Sequence, residues 1–185
     1  LEQNLSALKW LFEFQRKTQT NLLLKKEIRA ESKKLLNFLR GLPLENKQKR
    51  TIKKDILNFV EGVEKSDIKV TSEHGDFCSM NVFLSNDKVF VLDWEDFRSK
   101  GNPFSDFCFY ILHMISKELG VKNYGSGFKG DSNFHLMVQK FIFNFTQLYK
   151  VKSNIVLSAF PYIVLRYLQK AHVVDGGHIG HGDYH

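Results

Sequence analysis

Cysteine, proline and long apolar runs are scarce in this 185-residue chain, and each scarcity excludes something. Two cysteines, Cys78 and Cys108, make no disulfide scaffold at this size and point to a reducing, cytoplasmic compartment. Three prolines and 12 glycines rule out collagen-like or linker-like sequence. No run of about 18 apolar residues occurs, so no membrane partner is expected. The longest candidate, Ile155 to Leu168, is cut by Ser158, Pro161 and Arg166. No positive-then-apolar leader is read at the start. Methionine is missing until Met80, so further parts of a longer polypeptide are expected.

What is present favours a folded domain. The chain is 43% hydrophobic and carries 17 phenylalanines, too much apolar area to leave in water. A domain of this length buries roughly 70% of its unfolded surface. The formal charge of +7 favours anionic ligands without singling out nucleic acid.

Spacing predicts helices in the first third. Leu1, Leu5, Leu8 and Phe12 share one face, and a second stretch runs from Leu22 to Arg40 before Gly41 and Pro43. A third stripe joins Ile52, Ile56, Phe59, Val60 and Val63. The period then falls to two. Ile68–Val70 reads as a short strand, and Val82–Leu84 and Val89–Leu92 read as a hairpin about Ser85-Asn86-Asp87. Helix returns from Phe104 to a stop at Gly120, then over 134–149 and 155–171 with Pro161 able to kink the last. A glycine-rich loop (Gly125, Gly127, Gly130) and a loose polar tail over 172–185 complete the expectation.

The hairpin gathers the chemistry. Asn81 precedes its first strand and Asp93 follows its second, so antiparallel pairing brings both to one edge. An amide oxygen and a carboxylate side by side are hard ligands that Mg²⁺ accepts when phosphates supply others. Asp76, on the loop entering the hairpin, lies near that pair without having to be a ligand, and a carboxylate there suits a general base. Gly75 permits a tight turn before it. His74 is better placed to brace the loop than to do chemistry. Taken singly, Asp76, Asn81 and Asp93 read as ordinary turn residues; their joint spacing is what points to a site.

H-G-D-x-x-x-x-N (His74 to Asn81), followed after eleven residues by Asp93-Trp94-Glu95, resembles the catalytic segment of the aminoglycoside phosphotransferase and choline kinase-like family. The resemblance implies an α+β fold: the mainly helical C-terminal lobe of a protein-kinase-like fold over 1–171, with a small catalytic β-hairpin. It implies Asp76 as catalytic base with His74 beside it, and Asn81 and Asp93 as Mg²⁺ ligands that also engage ATP. It extends to Gly101–Phe107, where Asp106 is the candidate that stabilises the catalytic loop. Gly75 and Glu95 are supporting residues, Glu95 either assisting the site or lying in a solvated acidic turn.

The family's pattern is not matched throughout. Cys78 stands where many members have histidine, Ser79-Met80 replaces a proline-containing dipeptide, and Asn102 replaces a frequent aspartate. No glycine-rich strand-loop-strand and no strand lysine with a helix glutamate precede the motif, so the nucleotide-covering N-terminal lobe is absent. The expected function is ATP-dependent phosphoryl transfer to a hydroxyl of a small molecule, by a fragment inactive alone. From Ile111 onward four acids face eight bases, which disfavours a polycationic acceptor and favours a neutral or anionic one. Choline is still open, because an aromatic cage needs few acids and this region has many rings. The alternative is a non-catalytic kinase-like module whose basic surface holds an anionic partner. Nucleic-acid binding through the Lys-rich helices is the weakest reading. His178, His181 and His185 read as a surface segment rather than a metal site, and Cys78 as an inert thiol.

Overall fold

The computed structural model describes residues 2–120 and 126–174. Among them the fold is α+β: six helices and two small antiparallel sheets, in the order α1 (Glu2–Thr18), α2 (Lys25–Gly41), α3 (Asn46–Glu64), β1 (Thr71–Glu73), β2 (Val82–Ser85), β3 (Lys88–Val91), β4 (Arg98–Gly101), α4 (Pro103–Leu119), α5 (Asn133–Tyr149) and α6 (Ser153–Val174). None of these helices is long and apolar enough to cross a membrane.

Helix periodicity translates into burial with one shift. On α1 the fully covered residues are Ala7, Leu8 and Leu11, whereas Leu5, expected on the buried face, is 41% exposed. The face is rotated because Gln15 is also buried, donating to the Pro103 carbonyl (2.9 Å) and accepting from the Tyr149 hydroxyl (2.6 Å). On α3 the stripe holds: Ile56, Phe59 and Val63 are buried and meet α6, with Phe59 against Tyr162. An aromatic cluster of Phe104, Phe107 and Phe145 joins α4 to α5. Helix α6 continues through Pro161 and reaches Val174, so residues 172–174 extend the helix instead of opening the expected tail. The remainder of that tail, with His178, His181 and His185, lies outside the described residues, as does Gly125.

The hairpin forms as its sequence demands. Val82 pairs with Val91 and Phe83 with Phe90, around a two-residue turn in which Asn86 and Asp87 both take positive φ (48° and 59°), the left-handed pair that matches strand twist. The expected strand at 68–70 is displaced. Those residues bond to 20–24 instead (Thr20 N–H to Val70 O, Leu24 N–H to Ile68 O), and the true strand, β1, follows them and pairs with β4. Both β1 and β4 are polar, so no alternation marks them.

Candidate active site

The segment 74–81 runs from β1 into β2, and its first half is held by buried charge. All three residues of β1 are buried, including Glu73 at 2% exposure. Glu73 accepts from the Asn102 backbone N–H (3.1 Å) and from the Arg166 guanidinium (2.7 Å). Arg166 also pairs with Glu31 at 2.9 Å and donates to the Ser105 hydroxyl. Burial opposes the Arg166 charge, but Glu73 and Glu31 more than offset it and raise its pKa. Gly101 lets β4 pass here: a Cβ on it would lie 2.3 Å from that of Glu73.

Asp106, in the first turn of α4, is fully buried and accepts from the backbone N–H groups of His74 (2.7 Å) and Gly75 (2.9 Å). It stands where the sequence expects a residue that stabilises the loop. Burial and then Glu73 push its carboxyl up to about 7, while the two N–H groups and Arg166 pull the other way. Asn102 caps α4, its side-chain oxygen accepting from Phe104 N–H (3.0 Å), a role for which asparagine serves as well as aspartate.

Gly75 has φ +90°, and a Cβ there would lie 2.4 Å from the Asp96 carbonyl oxygen. The turn after the hairpin therefore packs against the loop before it, with no side chain between. Tyr167 donates to the Gly75 carbonyl (2.7 Å) and its ring stacks on Phe109. Lys170 pairs with Asp96, tying the second turn to the same helix.

His74 is committed on both ring nitrogens. Its Nδ1 accepts from the Asp76 N–H (3.2 Å), which leaves Nε2–H to donate to the Leu92 carbonyl (2.9 Å). Burial lowers its pKa against the upward pull of Leu92, Asp76, Asp93 and Asp96. A neutral ring bridging both loops is a brace. Trp94 covers it at a ring separation of 4.5 Å.

Beyond this brace the site opens. Asn81 donates through Nδ2 to the Asp76 carboxylate (2.9 Å) and carbonyl (3.0 Å), so its Oδ1 remains an acceptor. Its backbone carbonyl accepts from Leu92 N–H (2.9 Å), which extends the hairpin by one pair toward Asp93. Asp93 is exposed, with φ 62°. Asp76 and Asp93 both act electrostatically on His74 and on Cys78, so both carboxylates lie in the neighbourhood of those two residues. The structure thus brings Asp76 and Asn81 into contact and sets Asp93 at the adjoining end without a direct bond to either. Glu95 is exposed, in the turn that Asp96 anchors. Cys78 is a buried thiol whose pKa burial raises, as an inert cysteine requires.

Among the described residues no group of three or more His, Cys, Asp or Glu is set to hold a metal. Asn81 Oδ1 and the Asp93 carboxylate offer two uncommitted hard oxygens, a donor set that fits Mg²⁺ when phosphate oxygens and water complete its octahedron.

Sequence reasoning missed four residues at this site: Glu73, Arg166, Tyr167 and His113. His113 meets Ser79 Oγ at 3.2 Å, two turns beyond Asp106 on α4. None carries a local signal, because each acts on a segment far away in the chain. Comparisons with protein-family models, with curated proteins and with solved structures found no match for this chain.

Proposed function

We propose that this chain carries the catalytic segment of an ATP- and Mg²⁺-dependent phosphotransferase that acts on a hydroxyl of a small molecule. The chain then corresponds to the helical C-terminal lobe of a kinase-like enzyme, working with a nucleotide lobe of the same polypeptide in a cytoplasmic setting. The observation that carries the reading is the Asn81–Asp76 contact. It holds one oxygen of the Asp76 carboxylate and leaves the other free, with the exposed Asp93 at the adjoining end of the hairpin. In this reading the acceptor oxygen attacks the γ-phosphorus, its proton passes to Asp76, and ADP leaves. Mg²⁺, when bound, supplies charge neutralisation on the transferring group. Asn81 Oδ1 and Asp93 would hold it, and His74, Gly75 and Asp106 fix the loop on which Asp76 stands.

The acceptor is neutral or anionic, though the charge argument weakens once the fold is known. Arg166 and Lys170, two of the eight bases counted against a polycation, are neutralised by Glu31, Glu73 and Asp96. Other cations of that region, such as Lys117 and Lys140, have no ion pair among the described residues and keep the preference.

The test is Asp76→Asn in the polypeptide that includes the nucleotide lobe, assayed for ATP consumption against a panel of sugars, nucleosides and alcohols. Loss of a general base lowers turnover about 10²–10⁴-fold. Undiminished turnover removes Asp76 as base.

A further inference from the structure

The net charge of this chain is not spread over it. Residues 25–54, covering α2, the link 42–45 and the first half of α3, carry eleven lysines and arginines against three glutamates. That excess of +8 is larger than the +7 of the whole molecule, so everything else together is slightly acidic. The proposed catalytic cleft lies in the acidic part. The basic part lies apart from that cleft, on α2 and the first half of α3.

The cations are also organised. Lys26, Arg29, Lys33 and Arg40 recur at helical spacing along one face of α2, beside the seam with α3. At one end of that seam Arg29 pairs with Glu64 (2.7 Å). At the other end the seam widens into a groove of about 280 Å³, floored by Leu36 and Leu39 and walled by Arg40, Lys49, Arg50 and Lys53. No acid lines it. None of the four cations has a carboxylate within ion-pair distance among the described residues. Lys49 donates to the Arg40 carbonyl (2.8 Å), which locks its ammonium in place.

Folding does not account for this arrangement. Four like charges around one groove repel, and three of them follow one another along the first half of α3, where the acid at its start, Glu45, is taken up by the capping box with Gln48. An anion in the groove converts each of these costs into a gain. Two arginines supply planar forks that grip phosphate oxygens in pairs, and the lysines add point charges. The leucine floor excludes water from one side of those contacts and so strengthens them.

We infer that the α2–α3 groove binds a compact, multiply phosphorylated group, free in solution or carried as a lipid headgroup. Its volume lies just below the range of about 300–1,000 Å³ for drug-sized ligand sites, which points to a smaller group. No aromatic ring lines it, so it lacks the stacking platform of a single-strand binder. A short groove, bounded by seven residues at one end of the α2–α3 seam, also suits a compact group better than the long phosphate track of a duplex. The inference is independent of the phosphotransferase reading, since it shares no residue with the Asp76–Asn81–Asp93 cleft.

The probe is inorganic tripolyphosphate, titrated calorimetrically into the chain without Mg²⁺ at low salt. The expected result is saturable single-site binding that weakens about tenfold or more in Arg50→Gln/Lys53→Gln, both exposed residues whose loss leaves the fold intact. Lys9→Gln/Lys17→Gln, on exposed positions of α1, and Asp93→Asn are expected to bind as the wild type does. Vesicles of phosphatidylcholine with a phosphatidylinositol bisphosphate, compared with phosphatidylserine vesicles of equal charge, separate the two sources. Retention on the first alone assigns a lipid headgroup, and no retention with tripolyphosphate binding intact assigns a soluble ligand. Absence of saturable binding overturns the inference, as does binding unaffected by Arg50→Gln/Lys53→Gln or lost in Asp93→Asn. Displacement by a nucleic-acid duplex, with affinity rising with duplex length, overturns it in favour of a nucleic-acid face.

Discussion

The two halves of the segment from β1 to β2 are built on opposite principles. His74 and Gly75 are buried and held by Asp106, Tyr167 and, through Glu73, by Arg166. Asp76 and Asn81 are half-exposed, Asp93 is exposed, and among these three the side-chain bonds run only from Asn81 to Asp76. The bonds concentrate on the residues read as a brace, while the oxygens to which the proposed function gives the chemistry are half-exposed or exposed. A carboxylate that must accept a proton or ligate a cation cannot also be consumed by the fold, so its position is set by backbone held from behind.

The comparison breaks most visibly at Arg166. Arg166→Met leaves the buried Glu73 carboxylate without its cation, and removing one partner of a buried pair costs about 3–5 kcal/mol. Urea unfolding measures it; a loss well under 1 kcal/mol would mean the braced half is not braced by charge. Next is Gly75→Ala, which meets both a positive φ and the Asp96 carbonyl, at a cost on the order of 1–3 kcal/mol by the same measurement.

A smaller effect tests the His74 bridge. Its folded-state pKa lies below the unfolded value near 6.5, so the native state binds this proton less readily. The contribution is complete above about pH 6.5 and is lost as pH falls through the unfolded value toward the folded one. His113 has the same sign, and Asp106, with its raised pKa, the opposite one. Both largely cancel when wild type is compared with His74→Asn. The variant is expected to lose less stability between pH 7 and pH 5, and equal slopes would remove the bridge. The smallest effect is on the open half. Asparagine tolerates the positive φ of Asp93, so Asp93→Asn is expected to shift stability by less than about 0.5 kcal/mol while weakening Mg²⁺-dependent nucleotide binding.

The open half was the legible one. Its hairpin shows period-two alternation around an Asn-Asp turn, and Asp76, Asn81 and Asp93 follow from spacing once the ribbon is folded. Asp106 came with the family resemblance and stands against the loop. The braced half was hidden for a physical reason. Thr71-Ser72-Glu73 carries no apolar pattern although it is buried, because the charge of Glu73 is compensated by an arginine 93 residues further on. Its partner Arg98-Ser99-Lys100-Gly101 is polar and exposed up to Gly101. Pattern reading locates residues that hide from water by themselves, and Glu73 hides only in company. The same limit explains Leu5, whose spacing fits a core face that Gln15 occupies instead.

Because the loop's geometry depends on α6, the site has a birth order. During synthesis the β1–β2 segment emerges first and waits for Arg166, Tyr167 and Lys170, a delay of roughly 5–20 s at ribosomal rates. Until the last helix docks, Glu73 and Asp106 are acids near one another without Arg166, and the loop that carries Asp76 lacks its bond from Tyr167. Any agent that detaches α6 from a finished molecule would return it to that unripe condition.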